Sequence, residues 1–251
     1  MIVRNTEKGW ELIFHYAHGL LAGEIAQQLK HKLRPERWVE TLTAIVEHDD
    51  HQLDFDEKNY LNAVGNPLDF TEEHQTTTEI LERAKRVMAQ AINKSGWIAL
   101  LISMHLDFLF GHLAEEDASA AKRQAQTKVF FDEQQKLRKR LRQRYGLTKE
   151  MAVKYYEILR FCDRCSLILC QKSIPAAGRK LEVNTGIAEK PHFILEKNGK
   201  ITITPWCFEE DAFEISVEVH HLKQATFEDN MELKKALGEG DVELRVFRFE
   251  K

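Results

Sequence analysis

Cysteine is scarce: the four residues, Cys162, Cys165, Cys170 and Cys207, are too few and too clustered for a disulfide framework. No apolar run approaches the roughly 20 residues that span a bilayer, and 30% of the chain is charged, so no membrane-embedded protein is expected. The opening residues Met1 to Lys8 lack the basic start and apolar stretch of a signal peptide, which points to the cytosol and reduced thiols. Neither sign of charge dominates. Thirty-six Lys and Arg face 40 Asp and Glu, a net charge of -4 that argues against nucleic acid or an anionic membrane as the main partner. Also missing are the Gly-x-x-x-x-Gly-Lys phosphate loop, the Gly-x-Gly-x-x-Gly turn and the Gly-x-Ser-x-Gly elbow, so P-loop enzymes, dinucleotide dehydrogenases and α/β-hydrolases lose support.

What is present is enough apolar content, 43% of 251 residues, for a substantial core. Helical periodicity predicts helices over residues 10–29, from Pro35 to His51, from Thr71 to Ala91, over the nearly all-apolar Trp97 to Phe110, across the charged stretch Glu115 to Arg144, and from Leu147 to Gln171. After Ile174-Pro175 the pattern alternates, predicting strands at His192–Glu196, Ile201–Thr204, Phe213–His221 and Val242–Phe249, with Asn198-Gly199 as a hairpin turn. The expected architecture is mainly α, a helical bundle over residues 1–174 with a small β-rich C-terminal extension over 175–251 docked on it. A strand such as Phe213 to Val219 is a candidate sheet edge for a homodimer contact.

Chemistry concentrates in ionisable residues on apolar helix faces: His18 beside Phe14, Leu21 and Ala22; His48-Asp49 after Ile45 and Val46; His105 among Leu101, Phe108 and Leu109; Asp163 between Leu159 and Leu167. An unpaired buried carboxylate costs several kcal/mol, and one shared divalent ion (Mn, Fe, Ni or Zn) would satisfy all of these groups together. Chance alone supplies about 0.5 His-Asp dipeptides in this composition, so that pair by itself proves little. The weight lies in four separate helices each offering a site. The bland readings hold elsewhere. Lys136 to Arg144 fits a solvated helix face anchored by Leu137 and Leu141, and Cys162-x-x-Cys165 lacks the second pair of a zinc site and fits buried packing.

This order of His, His-Asp, His and Asp resembles the HD-domain superfamily of metal-dependent phosphohydrolases. The stretches His18 to Gly23, Glu47 to Asp50, Asn66 to Phe70, Ser103 to His105, Cys162 to Leu167 and Pro205 to Phe208 resemble more closely the bacterial family called domain of unknown function 3891. The resemblance implies His18, His48, Asp49 and Asp163 as metal ligands and His105 as a ligand to a second ion or a contact to substrate. Metal-assisted hydrolysis of a small phosphorylated molecule would follow, with Asp50 or His51 orienting water or protonating the leaving group. Two other classes stay open at this point: a di-iron oxygenase, and a non-catalytic module that binds metal or ligand. His15 and His112 have no assigned role.

Overall fold

The computed structural model describes residues 1–114, 121–184, 187 and 190–251. Two strands open the chain, β1 (Ile2–Thr6) and β2 (Gly9–Ile13), followed by α1 (His15–Gln28), α2 (Trp38–Val46), α3 (Thr77–Lys94), α4 (Gly96–Phe110), α5 (Ala121–Arg144) and α6 (Lys149–Cys170). Four strands come next, β3 (Leu181–Asn184), β4 (His192–Lys197), β5 (Lys200–Thr204) and β6 (Ala212–Leu222), and then α7 (Asn230–Glu239) and β7 (Asp241–Glu250).

The expectation of a mainly α bundle is overturned. The fold is mixed α/β, built on a seven-stranded sheet in the order β1-β2-β6-β7-β5-β4-β3. Neighbouring strands are antiparallel except β5 and β7. The N-terminal hairpin is what sequence periodicity missed, because Trp10 to Ile13 continue into the apolar stripe of α1 and read as its first turn. Their hydrogen-bonding groups pair instead with β1 and with His220 to Leu222 of β6, at the other end of the chain. Gly9 makes this possible: its φ of +119° is forbidden to most residues, and a Cβ there would lie 2.0 Å from the carbonyl oxygen of Leu222.

The sheet has two differently covered faces. Ile13, Ile194, Ile201, Ile203, Ile215, Val217 and Val219 share one core with α1, α2, α3, α4 and α6. On the other face Leu12 and Leu222 join Tyr60, Leu61, Phe227 and the α7 residues Leu233 and Leu237 in a smaller cluster. The alternation of Leu12 and Ile13 between the two clusters follows from the two-residue period of a strand. Within β6, β2 pairs only with His220 to Leu222, while Phe213 to Val219 pair with β7 on one edge and meet α1 on the other, where the amide of Ser216 donates to Glu24 at 2.9 Å.

The predicted helices hold, with shifted ends. α3 starts at Thr77 because Thr76 and Glu79 form a capping box, and Phe70–Glu72 is a separate short turn. The first residues of the charged stretch, 115–120, lie outside the described residues. Gly96–Leu113 is long and apolar enough by length and composition to cross a membrane. In the fold its helix, α4, packs against α2, α3, α5 and α6 at the centre of the core.

Candidate metal centre

Four segments converge near the start of α1. His18 comes from the first half of α1, His48 and Asp49 from the turn that follows α2, His105 from α4 and Asp163 from α6. The approach of α1 to α2 depends on glycine: a Cβ on Gly19 would meet the carbonyl oxygen of Val46 at 2.3 Å, and one on Gly23 would meet the Val46 side chain at 2.7 Å. That contact brings His18 Nε2 to 3.2 Å from His48 Nε2. Asp163 Oδ1 sits 3.4 Å from His18 Nε2 and 3.3 Å from His48 Nε2, while Asp49 Oδ2 lies at 3.8 and 3.9 Å from the same two atoms. Two overlapping ligand groups result, His18 with His48 and Asp49, and His48 with His105 and Asp163, the ligand atoms of each lying within 4.8 Å of one another.

Hydrogen bonds behind the rings set the tautomers. Ser166 Oγ donates to the carbonyl of Asp163 at 2.8 Å, so it accepts from His18 Nδ1–H at 2.7 Å. His48 Nδ1–H donates to the carbonyl of Ile45 at 2.6 Å. Both imidazoles therefore turn an Nε2 lone pair toward the same point when neutral, the arrangement in which histidine binds a metal. His105 Nδ1 stands 3.3 Å from the hydroxyl of Tyr156. Arg83 reaches in from α3, with Nη2 2.7 Å from Asp49 Oδ1.

Burial and charge push these groups apart. Burial, reinforced by His48, lowers His18 and His105 to about 4. Burial also works against a charged His48, yet Asp163 and then Asp49 outweigh it and raise His48 to about 9. Both carboxyls lie below their usual range despite burial, Asp49 through Arg83 and then the histidines, Asp163 through His48 first. A proton on His48 together with Arg83 thus balances the two carboxylates. A divalent cation can take that proton's place, because metal binding and ligand deprotonation are linked. The donor set of imidazole nitrogen and carboxylate oxygen suits Mn, Fe, Ni or Zn, so these residues could hold a metal ion.

Asp49, His105 and Asp163 form one wall of a cavity of about 350 Å³, lined also by His15, Gln52, Phe70, Glu73, Arg83 and Phe110, while His18 and His48 lie behind that wall. Not every residue singled out in the sequence lies here. Asp50 is half-buried and held above the usual carboxyl range by burial and by Glu47, and His51, at φ +59°, bonds through its ring to Gln90. Neither lines the cavity. His15 does, with its ring 6.4 Å from that of His18, whereas His112 is exposed in the turn Gly111–Ala114. Sequence reasoning assigned no part to Ser166, Tyr156 or Arg83. Arg83 carried a readable signal, a cation three residues after Ile80 and four before Val87 on the apolar stripe of α3.

All four cysteines are buried and free, and burial raises their thiols, Cys170 and Cys207 to about 12, as packing residues require. The basic run lies on α5, where Leu141 is buried and Arg138 turns inward to Asp107 at 3.1 Å and to the carbonyl of Ser103 at 3.0 Å.

Fold and site together define a helix-backed, seven-stranded α/β protein with a buried His/Asp cluster able to hold a metal. The chain belongs to the family described as protein of unknown function (DUF3891), whose model matches residues 1–224. No curated protein and no solved structure matches it. The narrower of the two resemblances read from the sequence is thereby shown, and the wider one, to the HD-domain superfamily, gains no support.

Proposed function

We propose that this protein is a metal-dependent hydrolase of a small phosphate ester. The observation that carries the reading is the convergence of His18 Nε2, His48 Nε2 and Asp163 Oδ1 within 3.2 to 3.4 Å, held together by a proton on His48 that an ion would displace, with a cavity beside them. His18, His48, Asp49 and Asp163 would hold the ion, and His105, which shares a ligand group with His48 and Asp163, would serve a second ion or the substrate. A divalent ion supplies Lewis acidity there, acidifying water and offsetting the negative charge that develops on phosphoryl oxygens. The chain's own residues do the rest. Ser166 and the Ile45 carbonyl keep the two imidazoles in the ligating tautomer, Arg83 lends a positive wall to an otherwise acidic cavity, and Phe70, Phe110 and Leu167 exclude bulk water.

The test is metal content by plasma mass spectrometry on tag-free protein beside the His48→Ala, Asp49→Ala double variant, with hydrolysis of a generic phosphoester measured on both. One or two ions per chain and turnover in the wild type, both lost in the variant, is the expected result. Iron accompanied by oxygen uptake and no hydrolysis would replace this reaction with an oxygenase. Absence of metal after reconstitution would reduce the cluster to a satisfied polar core.

A further inference from the structure

The sheet is open along part of β7. β7 pairs with β6 along its full length, Asp241 to Glu250, but its other neighbour, β5, meets it only at Ile201 opposite Phe249. Among the described residues no strand covers the second edge of Asp241 to Val246, and backbone groups there are a template for another strand. The outward side chains of this segment are apolar and exposed: Val242 at 52%, Leu244 at 61% and Val246 at 47%. On the other face are Glu243, half exposed and bonded to His221 Nε2 at 2.8 Å, and the more buried Arg245, which lie opposite Val219 and Val217. Arg245 Nη1 is buried without a hydrogen-bond partner, although Nη2 meets Glu11 at 3.1 Å. A cavity of about 310 Å³ runs beside this edge, between Arg245, Phe247, the Gly199 turn and Lys172.

We propose that this edge is a homodimer interface, in which β7 pairs antiparallel with β7 of a second copy about a two-fold axis at Leu244. The register follows from the sequence of the strand. A two-fold perpendicular to the sheet sets each residue opposite one of the same face, so the axis must pass through a residue. Centred on Leu244, it sets Leu244 against itself, Val242 against Val246, and Glu243 against Arg245, giving an apolar outer row and two crossed ion pairs on the inner row. Centred on Glu243 or Arg245, it sets like charges directly opposite, which is destabilising. In the Leu244 register Asp241 of the second copy falls opposite Phe247, so the added strand ends just before β5 takes over at Phe249. The partner of that edge is therefore a second copy of the same strand, and the inner row brings a second carboxylate toward Arg245, whose Nη1 has no hydrogen-bond partner although Nη2 meets Glu11 and Glu243 of its own chain.

Light scattering of the full chain over a concentration series tests the interface. The wild type is expected at twice the chain mass, and Leu244→Lys, which opposes two ammonium groups at the axis, at the chain mass with an unchanged circular dichroism spectrum. Cross-linking reads the register: Leu244→Cys should oxidise to a covalent dimer by itself, Val242→Cys should not, and Val242→Cys mixed with Val246→Cys should. A wild type monomeric throughout the series, a dimer that survives Leu244→Lys, or cross-linking through Val242→Cys in place of Leu244→Cys would overturn the proposal.

Discussion

Two clusters of ionisable groups sit in this molecule, one partly exposed and one buried, and they are built differently. Between β2, β7 and the end of α6, Glu11 takes Lys172 at 3.0 Å and Arg245 at 3.1 Å, an acid surrounded by the cations it needs. Between α1, the turn after α2, and α6, two imidazole nitrogens and a carboxylate oxygen face one another at hydrogen-bonding distance, and the positive charge between them is an exchangeable proton on His48. The first cluster closes on itself. The second is arranged so that a small cation completes it, and the outward sides of its rings are tied down where the inward sides are not. An ion cluster thus reads as structural or as functional by whether its charges are answered from within.

The sharpest way to break that contrast is Asp163→Asn, which keeps the shape and removes the charge nearest both imidazoles. Metal content and phosphoester hydrolysis should both fall below detection, measured by plasma mass spectrometry and colorimetric turnover. Retention of either would show that the centre does not depend on its convergent oxygen.

Next in size is Arg83→Met. It leaves Asp49 buried beside the histidines without its cation, and the loss should approach about 3 kcal/mol in urea unfolding of the metal-free protein. Added metal should recover much of that loss, because an ion bound only by the folded state stabilises it. An equal loss with and without metal would place Asp49 outside the ligand set.

Ser166→Ala asks less of the fold and more of the site. It removes the acceptor that fixes His18 in the ligating tautomer, so metal affinity should fall by about 10- to 100-fold in competition titrations, with the circular dichroism spectrum unchanged. Unchanged affinity would mean that packing alone orients the ring.

The smallest effect belongs to the closed cluster. Although burial opposes it, Lys172 and Arg245 hold the Glu11 carboxyl below its ordinary 4.5, so its stabilisation is present above that pH and is lost as pH falls through the lowered value. Glu11→Gln should therefore cost about 2 kcal/mol near neutrality, and the gap between variant and wild type should close as pH falls below 4.5 in thermal or urea melts. A gap that persists in acid would assign the loss to packing.

Much of the site was legible in the sequence because each member of the cluster betrays itself locally: a His or Asp at helical spacing from Leu, Ile or Phe is costly unless something answers it. Asp50 and His51 were drawn in only by adjacency to His48-Asp49. The turn after α2 rotates them away, Asp50 toward Glu47 and His51 toward Gln90, and residues adjacent in a turn need not share a target. Ser166 and Tyr156 left no trace, since a hydroxyl on an amphipathic helix has many roles and only its neighbour in space selects one.

By itself the sequence determined what depends on neighbours three or four residues away, or two: α2 to α6 and the later part of α1, the strands β4 to β7, the buried cysteines, and the set of His18, His48, Asp49, His105 and Asp163. Tertiary structure alone decided that the first strands join the last in one sheet, that β6 lies inside it, that Arg83 answers Asp49, and that five residues from four segments meet at one point. The physical reason is range. Helical and strand periods are written in contiguous residues, whereas the pairing of Leu12 with His220, or of His18 with Ser166, depends on closing a loop of nearly the whole chain or more than half of it, and only the summed burial of both sheet faces specifies which distant partner that is.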